Sequence, residues 1–244
     1  MEKIWQGQLD ELVKVLGIES KPVAVTFTND EVDFGEGKRV SMCRALKLAA
    51  RGKTLVIEKE TSACPGGSWH CGLVEPPSGD MRKGIQWFLT QGEKLTYSIT
   101  TFQRMMDLTT PPPTGFCQRI VMAPVEEAEL RPDIIVFVCN AEHACRLLTL
   151  DQFWDGIPPR IELAGSMCHS ALIYPAVTGR SNLSLGDWTA RRMQKFPADT
   201  VFVTIPYERV PNLTAAVPVC SAGSAELEIP QEIESVMEED DFPE

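Results

Sequence analysis

SMCHSAL at residues 166–172 is the stretch around which the rest of the chain can be ordered, because SMCRAL at residues 41–46 repeats it. Each stretch places a cysteine two residues after a serine, and serine is a preferred N-cap residue of helices. A strand-like run precedes each stretch, and a turn with a central glycine follows each expected helix. The runs are residues 23–27 and 161–163, and the turns are residues 51–53 and 178–180. This repeat predicts an internal duplication.

Hydrophobic periodicity predicts the remaining elements. Apolar residues at helical spacing predict a packing helix over residues 1–17, and apolar runs predict strands near residues 119–123, 134–139 and 200–205. Strands that alternate with helices favour an α/β or α+β fold, with helices flanking a mixed sheet and two pseudo-symmetric halves. We expect one domain over residues 18–229, with halves of about 18–150 and 151–229. Residues 230–244 are expected to be an acidic, disordered tail.

Charge and composition narrow the class of protein. The 244 residues carry a formal net charge of -11. They are 43% hydrophobic, which is enough apolar content for a sizeable core. Nine of the 34 acidic residues follow the last basic residue, Arg209, so the rest of the chain is nearly neutral. A neutral body lacks the clustered positive charge that nucleic acids and anionic membranes attract, so neither partner is expected. The N-terminus has no secretory signal pattern, and we expect a cytoplasmic protein.

The eight cysteines are too sparse for a disulfide scaffold, and a reducing compartment would leave them as free thiols, metal ligands or redox groups. Cys43 and Cys168 fall in the first turn of their helices, where unpaired N–H groups and the helix dipole lower a thiol pKa. We therefore expect both to ionise readily. The alternative is that both are small, buried core residues, as unpaired cysteines often are.

Cys64 begins CPGGSWHC at residues 64–71, a segment so rich in glycine and proline that we expect a loop. Gly66 and Gly67 expose N–H groups that can hold an anionic ligand or a cofactor. Cys71 could complete a loop-borne pair, with His70 as an alternative donor. Their spacing fits neither zinc ribbons nor ferredoxin runs.

Two residues near the second repeat are further candidates. His169 follows Cys168 directly and could act as a base or a metal ligand, and Asn182 lies in a polar stretch that suits a pocket wall. Asp187 in the same stretch is expected to cap the next helix. The other four cysteines have no partner nearby in sequence and are expected to be packing or surface residues: Cys117, Cys139, Cys145 and Cys220.

Five motifs, in order along the chain, give a family resemblance. They are KPVAV at 21–25, CRALKLA at 43–49, CPGG at 64–67, APVEEA at 123–128 and TGRSNLSL at 178–185. Together they resemble the bacterial and archaeal family called domain of unknown function 169, many of whose members come from anaerobes. The resemblance implies that Cys43, Cys64 and Cys168 match its recurring cysteines, while Cys71 lies outside its motifs. It implies no settled activity.

The leading hypothesis is a cysteine-ligated, metal-binding redox protein, with an iron-sulfur cluster as cofactor. Its ligands would be Cys43, Cys64 and Cys168, with Cys71 or His169 as the fourth. One alternative is a thiol enzyme that uses Cys43 or Cys168 as nucleophile, and another is a non-catalytic module that binds a small molecule or cofactor. The expected partner is a redox protein or a small molecule, and a homo-oligomer is left open. Joint ligation requires the sulfur atoms to lie within about 7 Å of one another.

Overall fold

The structure is a computed structural model that describes residues 4–34, 39–108, 113, 115–159, 161–163 and 166–229. The predicted acidic tail lies outside these residues. Among the helices that are described, none is long and apolar enough to cross a membrane. Helices and strands combine in one α/β arrangement, as predicted.

The centre of the fold is a six-stranded sheet with the order β2-β3-β1-β4-β6-β5. The strands are β1 (Val23–Thr28), β2 (Leu55–Glu58), β3 (Arg119–Pro124), β4 (Ile134–Cys139), β5 (Asn182–Ser184) and β6 (Val201–Pro206). Each of the five pairings between these strands is antiparallel, whereas a mixed sheet was expected. Apolar periodicity locates a strand but carries no information about which neighbour it will meet or in which direction.

The strand order reads the same from both edges when β1, β2 and β3 are matched with β4, β5 and β6. The register agrees with this matching, because Val23 faces Pro124 and Ile134 faces Pro206. The turn that follows each proline repeats as well: the Val125 N–H donates to the Pro22 carbonyl oxygen, and the Tyr207 N–H donates to that of Asp133, both at 2.9 Å. The two halves therefore share one strand plan. This plan divides the strands between β3 and β4. An origin by duplication and a boundary near residue 150 stay predictions.

Helices cover both faces of the sheet. Their bounds are α1 (Ile4–Leu16), α2 (Met42–Ala49), α3 (Pro65–His70), α4 (Gly79–Trp87), α5 (Ile99–Asp107), α6 (Ala141–Gln152), α7 (Tyr174–Thr178), α8 (Trp188–Gln194) and α9 (Val210–Ala216). A π-helical segment, Cys168–Ile173, leads into α7. One apolar core joins one face of the sheet to α2, this π-helical segment and α8. A second core joins the opposite face to α1, α6 and α9.

Both Ser-Met-Cys repeats lie on the same face of the sheet. Met42 and Met167 are buried in one core together with Val23 and Val136, which are partners in the central pairing of β1 with β4. The shared strand plan thus brings the two cysteine-bearing helix starts to one side of the molecule. This side holds the candidate site.

Two local expectations are corrected by the structure. Residues 161–163 form no strand: the backbone N–H and carbonyl oxygen of Glu162 bond to the side chain of Asn182, and a strand would pair with the backbone of its neighbour. The segment that begins with Cys64 is a short helix, α3, and not a loop. Proline is well suited to the first position of a helix, and the cysteine sulfur takes the place of a capping oxygen.

Candidate cysteine site

The site is centred on Gly67 in α3. Cys64 is the N-cap residue of this helix, and its Sγ accepts a hydrogen bond from the Gly67 N–H at 3.3 Å. A Cβ atom built on Gly67 would lie 3.4 Å from the Cys64 Sγ and 3.3 Å from the Cys168 Sγ. The two sulfur atoms are therefore within about 7 Å of each other, as joint ligation requires. The structure brings together two cysteines that are far apart in sequence.

Cys43 approaches the same region from the start of α2. The Ser41 Oγ accepts a hydrogen bond from the Arg44 N–H at 3.4 Å and lies 3.4 Å from the Cys43 Sγ. The adjacent Met42 packs against α3, because its Cγ is 3.3 Å from the position of a Gly67 Cβ. The Cys168 and Cys64 thiols are close enough to raise the pKa of Cys43 through their charges.

Cys71 closes the site from the far end of α3. Its side chain is completely buried. The Cys71 side chain is the largest cause that raises the pKa of Cys168, followed by burial. The Cys117 thiol donates to the Cys71 carbonyl oxygen at 3.5 Å, so a cysteine with no partner nearby in sequence also borders the site. No local pattern could have revealed this contact, because it spans 46 residues.

Burial governs the acidity of the Cys43 and Cys64 thiols. It is the largest cause that raises the pKa of Cys43 to about 12, and it also raises the pKa of Cys64. Hydrogen bonds from the Gly67 and Gly66 N–H groups lower the pKa of Cys64 and offset part of this effect. The expectation that helix starts would lower the pKa of Cys43 and Cys168 is wrong. Removing a thiolate from water costs more than a helix end compensates.

Asp187 links the site to two helices. As expected it caps α8, with its Oδ1 accepting from the Ala190 N–H at 2.7 Å. Its Oδ2 also accepts from the Met167 N–H at 2.8 Å, at the start of the π-helical segment, which the sequence did not indicate. Its negative charge is one of the causes that raise the pKa of the nearby thiols, those of Cys43, Cys64 and Cys168.

Two histidines lie beside the thiols in the interior. The His70 and His169 rings have centroids 6.2 Å apart, and His169 is fully buried. Burial, followed by the charge of His169, lowers the pKa of His70 to about 4, so that its ring is neutral near pH 7. Within the described part of the chain, the His70 Nδ1 has no hydrogen-bond partner. A neutral imidazole nitrogen is the form of histidine that binds metals.

Asn182 holds the Cys168 segment against the sheet. It is fully buried in β5, where its Nδ2 donates to the Ser170 carbonyl oxygen at 2.7 Å and its Oδ1 accepts from the Glu162 N–H at 2.8 Å. These bonds occupy the amide that was expected to contact a cofactor. The matching position in β2 is Leu55, so this polar anchor belongs to one half only.

The donors do not form a ready ligand sphere. Across the segments that the structure describes, no group of three or more His, Cys, Asp or Glu side chains is arranged to hold a metal ion. Binding would therefore require the thiols to lose their protons and the sulfur atoms to move closer together. The donor set itself, four thiols with two imidazoles nearby, suits a soft metal centre.

The remaining cysteines lie elsewhere. Cys139 and Cys220 are buried in the core on the opposite face of the sheet, and Cys145 is exposed on α6. They serve as natural controls for the site.

The comparisons with known proteins concern the region that contains this site. The model of domain of unknown function 169, described as uncharacterised ArCR, matches residues 11–216. The chain belongs to this family. An uncharacterized protein of Methanocaldococcus jannaschii is 21% identical over 221 residues, which cover 85% of this chain and 91% of that protein. No solved structure matches the chain. The family predicted from the motifs is thus confirmed, and the whole cysteine site lies within the matched domain of unknown function 169.

Proposed function

We propose that Cys43, Cys64, Cys71 and Cys168 bind a soft metal centre, with an iron-sulfur cluster as the best candidate, and that this DUF169 protein acts in electron transfer or redox chemistry. The observation that carries the proposal is the placement of the Cys64 and Cys168 sulfur atoms beside the same point at Gly67. Cys43 and Cys71 border these two thiols from α2 and from the end of α3. These four thiols, from three separate chain segments, are the donors that we propose for the metal centre.

The surroundings of the thiols favour an anionic cluster over an isolated divalent ion. The Gly67 N–H points at the Cys64 sulfur, and the Gly66 N–H also bonds to it. Hydrogen bonds from backbone N–H groups to cluster sulfur atoms stabilise the reduced state and tune its potential. The apolar core around Met42 and Met167 would keep water from the cluster. When bound, the cluster would supply one-electron redox chemistry.

The raised thiol pKa values give the proposal a measurable consequence. At neutral pH the metal-free site holds protonated thiols, because burial raises the pKa of Cys43 to about 12 and that of Cys64 as well. Metal binding must release these protons, so the apparent affinity should rise with pH. A reducing compartment, which we take to be the cytoplasm, would keep the thiols available. The expected partner is a redox protein or a small redox-active molecule.

Anaerobic reconstitution tests this function. The full-length protein is incubated with ferrous iron, sulfide and a thiol reductant, desalted anaerobically, and analysed for iron, sulfide and visible absorption. We expect a coloured protein with bound iron and sulfide, and a clear loss of both in Cys64→Ser and Cys168→Ser. Cys139→Ser is the matched control, since Cys139 is buried in the opposite core. A colourless, iron-free wild-type protein would contradict the proposal, as would equal loss in the control.

A second function, a non-catalytic module that binds a small molecule or cofactor, is favoured by one observation. The described side chains form no ready metal-binding group, and the site thiols are protonated by burial. In this case the cysteines would stabilise the core alone. Cys43→Ser and Cys168→Ser would then lower the free energy of unfolding without changing ligand binding or metal content.

A further inference from the structure

We propose that the metal-free site reduces low-molecular-weight disulfides, with Cys64 as the attacking thiol and Cys168 and Cys71 as the pair that is finally oxidised. This activity goes beyond the proposed metal centre and needs no metal. It uses the order in which the thiols are arranged, from the half-buried Cys64 to the buried Cys168 and the completely buried Cys71. The substrate class is a small disulfide, R–S–S–R.

Cys64 is placed to be the entry point. Its side chain is half-buried, whereas Cys71 and Cys168 are 0% and 7% exposed. The Cys64 Sγ accepts the Gly67 N–H at 3.3 Å, and the Gly66 N–H also bonds to it. Of the three thiols that the exchange uses, Cys64 is therefore the one that a substrate disulfide can reach first.

Cys168 is placed to resolve the first product. Its sulfur and that of Cys64 are 3.3 Å and 3.4 Å from the same point beside Gly67, with no side chain on that residue to separate them. Cys71 is buried in the same apolar core as Cys168, and its side chain is the largest cause that raises the pKa of Cys168. The Cys64 and Cys168 sulfur atoms are thus placed for the first exchange within the protein, and Cys71 is the buried neighbour assigned to the second.

The chemistry balances in three exchanges. The Cys64 thiolate attacks one substrate sulfur, which forms Cys64–S–S–R and releases one RSH after proton uptake. Cys168 then loses its proton and attacks the Cys64 sulfur, which forms the Cys64–Cys168 disulfide and releases the second RSH. Cys71 attacks the Cys168 sulfur, which leaves a Cys71–Cys168 disulfide and returns Cys64 to a thiol. Overall, two protein thiols are oxidised and one disulfide is reduced to two thiols.

Oxidised glutathione is the probe for the test. The metal-free, fully reduced, full-length protein is incubated with it at pH 8, quenched with acid and iodoacetamide at several times, and mapped by peptide mass spectrometry. We expect two glutathione molecules released per disulfide formed and a cross-link between the Cys168 peptide and the Cys64–Cys71 peptide. Cys64→Ser should slow cross-linking by about tenfold or more, because the buried thiols lose the half-buried thiol through which the substrate enters. Cys71→Ser should stop the reaction at the Cys64–Cys168 disulfide.

The chain offers a matched control in the exposed Cys145 on α6. It should form only a mixed disulfide with glutathione, and Cys145→Ser should leave the cross-linking rate unchanged. No cross-link to Cys168 in the wild-type protein, or an equal rate in Cys64→Ser, would overturn the relay. Because the protein is metal-free throughout, this failure is distinct from failure to bind iron. Far-ultraviolet circular dichroism of each variant separates loss of chemistry from loss of fold.

Discussion

Gly67 is the residue on which the site depends most directly. Three side-chain atoms lie close to the position of its missing Cβ: the Cys168 Sγ and Met42 Cγ at 3.3 Å and the Cys64 Sγ at 3.4 Å. The adjacent Gly66 is different, because a Cβ there would meet no atom within 4 Å. Two consecutive glycines in one helix therefore have different reasons to lack a side chain.

This difference gives a matched pair of substitutions. Alanine favours a helix over glycine by about 1 kcal/mol at either position, but only at Gly67 does the new methyl group crowd two sulfur atoms. We expect the free energy of unfolding of Gly66→Ala to be about 1 to 2 kcal/mol higher than that of Gly67→Ala. Chemical denaturation of both metal-free variants checks this. Equal stability would show that the sulfur atoms are not packed against Gly67.

Cys139 gives a prediction for alkaline pH. Burial raises the pKa of this thiol to about 12 in the folded protein, well above its value in an unfolded chain. Above about pH 9 the unfolded state loses a proton that the folded state keeps, so stability falls as pH rises, by about 1.4 kcal/mol per pH unit from this group. Unfolding free energies between pH 8.5 and 10.5 should fall less steeply in Cys139→Ala than in the wild type. Cys145→Ala, at an exposed position, should keep the wild-type slope, and identical slopes for all three proteins would contradict the prediction.

Among the elements, the π-helical segment Cys168–Ile173 shows most clearly how the fold serves the site. Its widened turns leave backbone oxygens free for side chains: Asn182 donates to the Ser170 oxygen, and the Thr204 Oγ1 donates to the Ala171 oxygen at 2.7 Å. Such segments are uncommon and frequently occur at functional sites. The other Ser-Met-Cys repeat begins an ordinary α-helix, α2. The two halves therefore differ in the kind of helix that carries the repeated cysteine.

The carboxylate of Asp187 caps two helix starts, and two substitutions of it should lower stability by different amounts. Its two oxygens each accept one backbone N–H, from Met167 and from Ala190. Asp187→Ala removes both bonds and should lower the free energy of unfolding by about 2 to 3 kcal/mol, whereas Asp187→Asn keeps one oxygen and should lose about half of that.

The same two variants separate the effect of the capping hydrogen bonds from the effect of the Asp187 negative charge. Removing the negative charge lowers the pKa of the nearby thiols, so Cys64 in Asp187→Asn should react faster with iodoacetamide at pH 8 than in the wild type. Thermal unfolding and thiol labelling of the two variants measure these effects. Full stability in Asp187→Ala would rule out the double cap.

At the scale of the whole molecule, one sheet lies between two apolar cores, and this sheet continues from one half into the other. The central pairing of β1 with β4 joins Val23 to Val136 and Val25 to Ile134, and apolar cores cover it on both faces. We therefore expect one cooperative unfolding transition. A molecule with independently folded halves would show two.

Thiol labelling across the sheet measures this cooperativity. Cys168 lies in the core of the site face and Cys139 in the core of the opposite face. In increasing guanidinium chloride, both thiols should become reactive at the same midpoint, and that midpoint should match the loss of far-ultraviolet circular dichroism. Exposure of Cys168 at clearly lower denaturant than Cys139 would show that the site face opens on its own.

Patterns within short windows of sequence determined the family, the α/β class, the helix-capping serines and most of the strands. Ser41 and Ser166 accept N–H groups three residues on, as their motifs predict, because capping depends on a few adjacent residues. The same local reasoning identified Cys64 and Cys168, whose sulfur atoms lie beside Gly67. It was wrong about the acidity of Cys43 and Cys168 and about the loop at Cys64.

The tertiary structure alone decided the direction of the strands, the contact of Cys64 with Cys168 and the second role of Asp187. Each of these depends on distant segments meeting, and burial in the resulting core raises the pKa of thiols that an isolated helix start would lower. The repeated SMC motif was visible in the sequence from the start. It predicted that Cys43 and Cys168 share one site, and the symmetric strand order is what places both repeats on one face of the sheet.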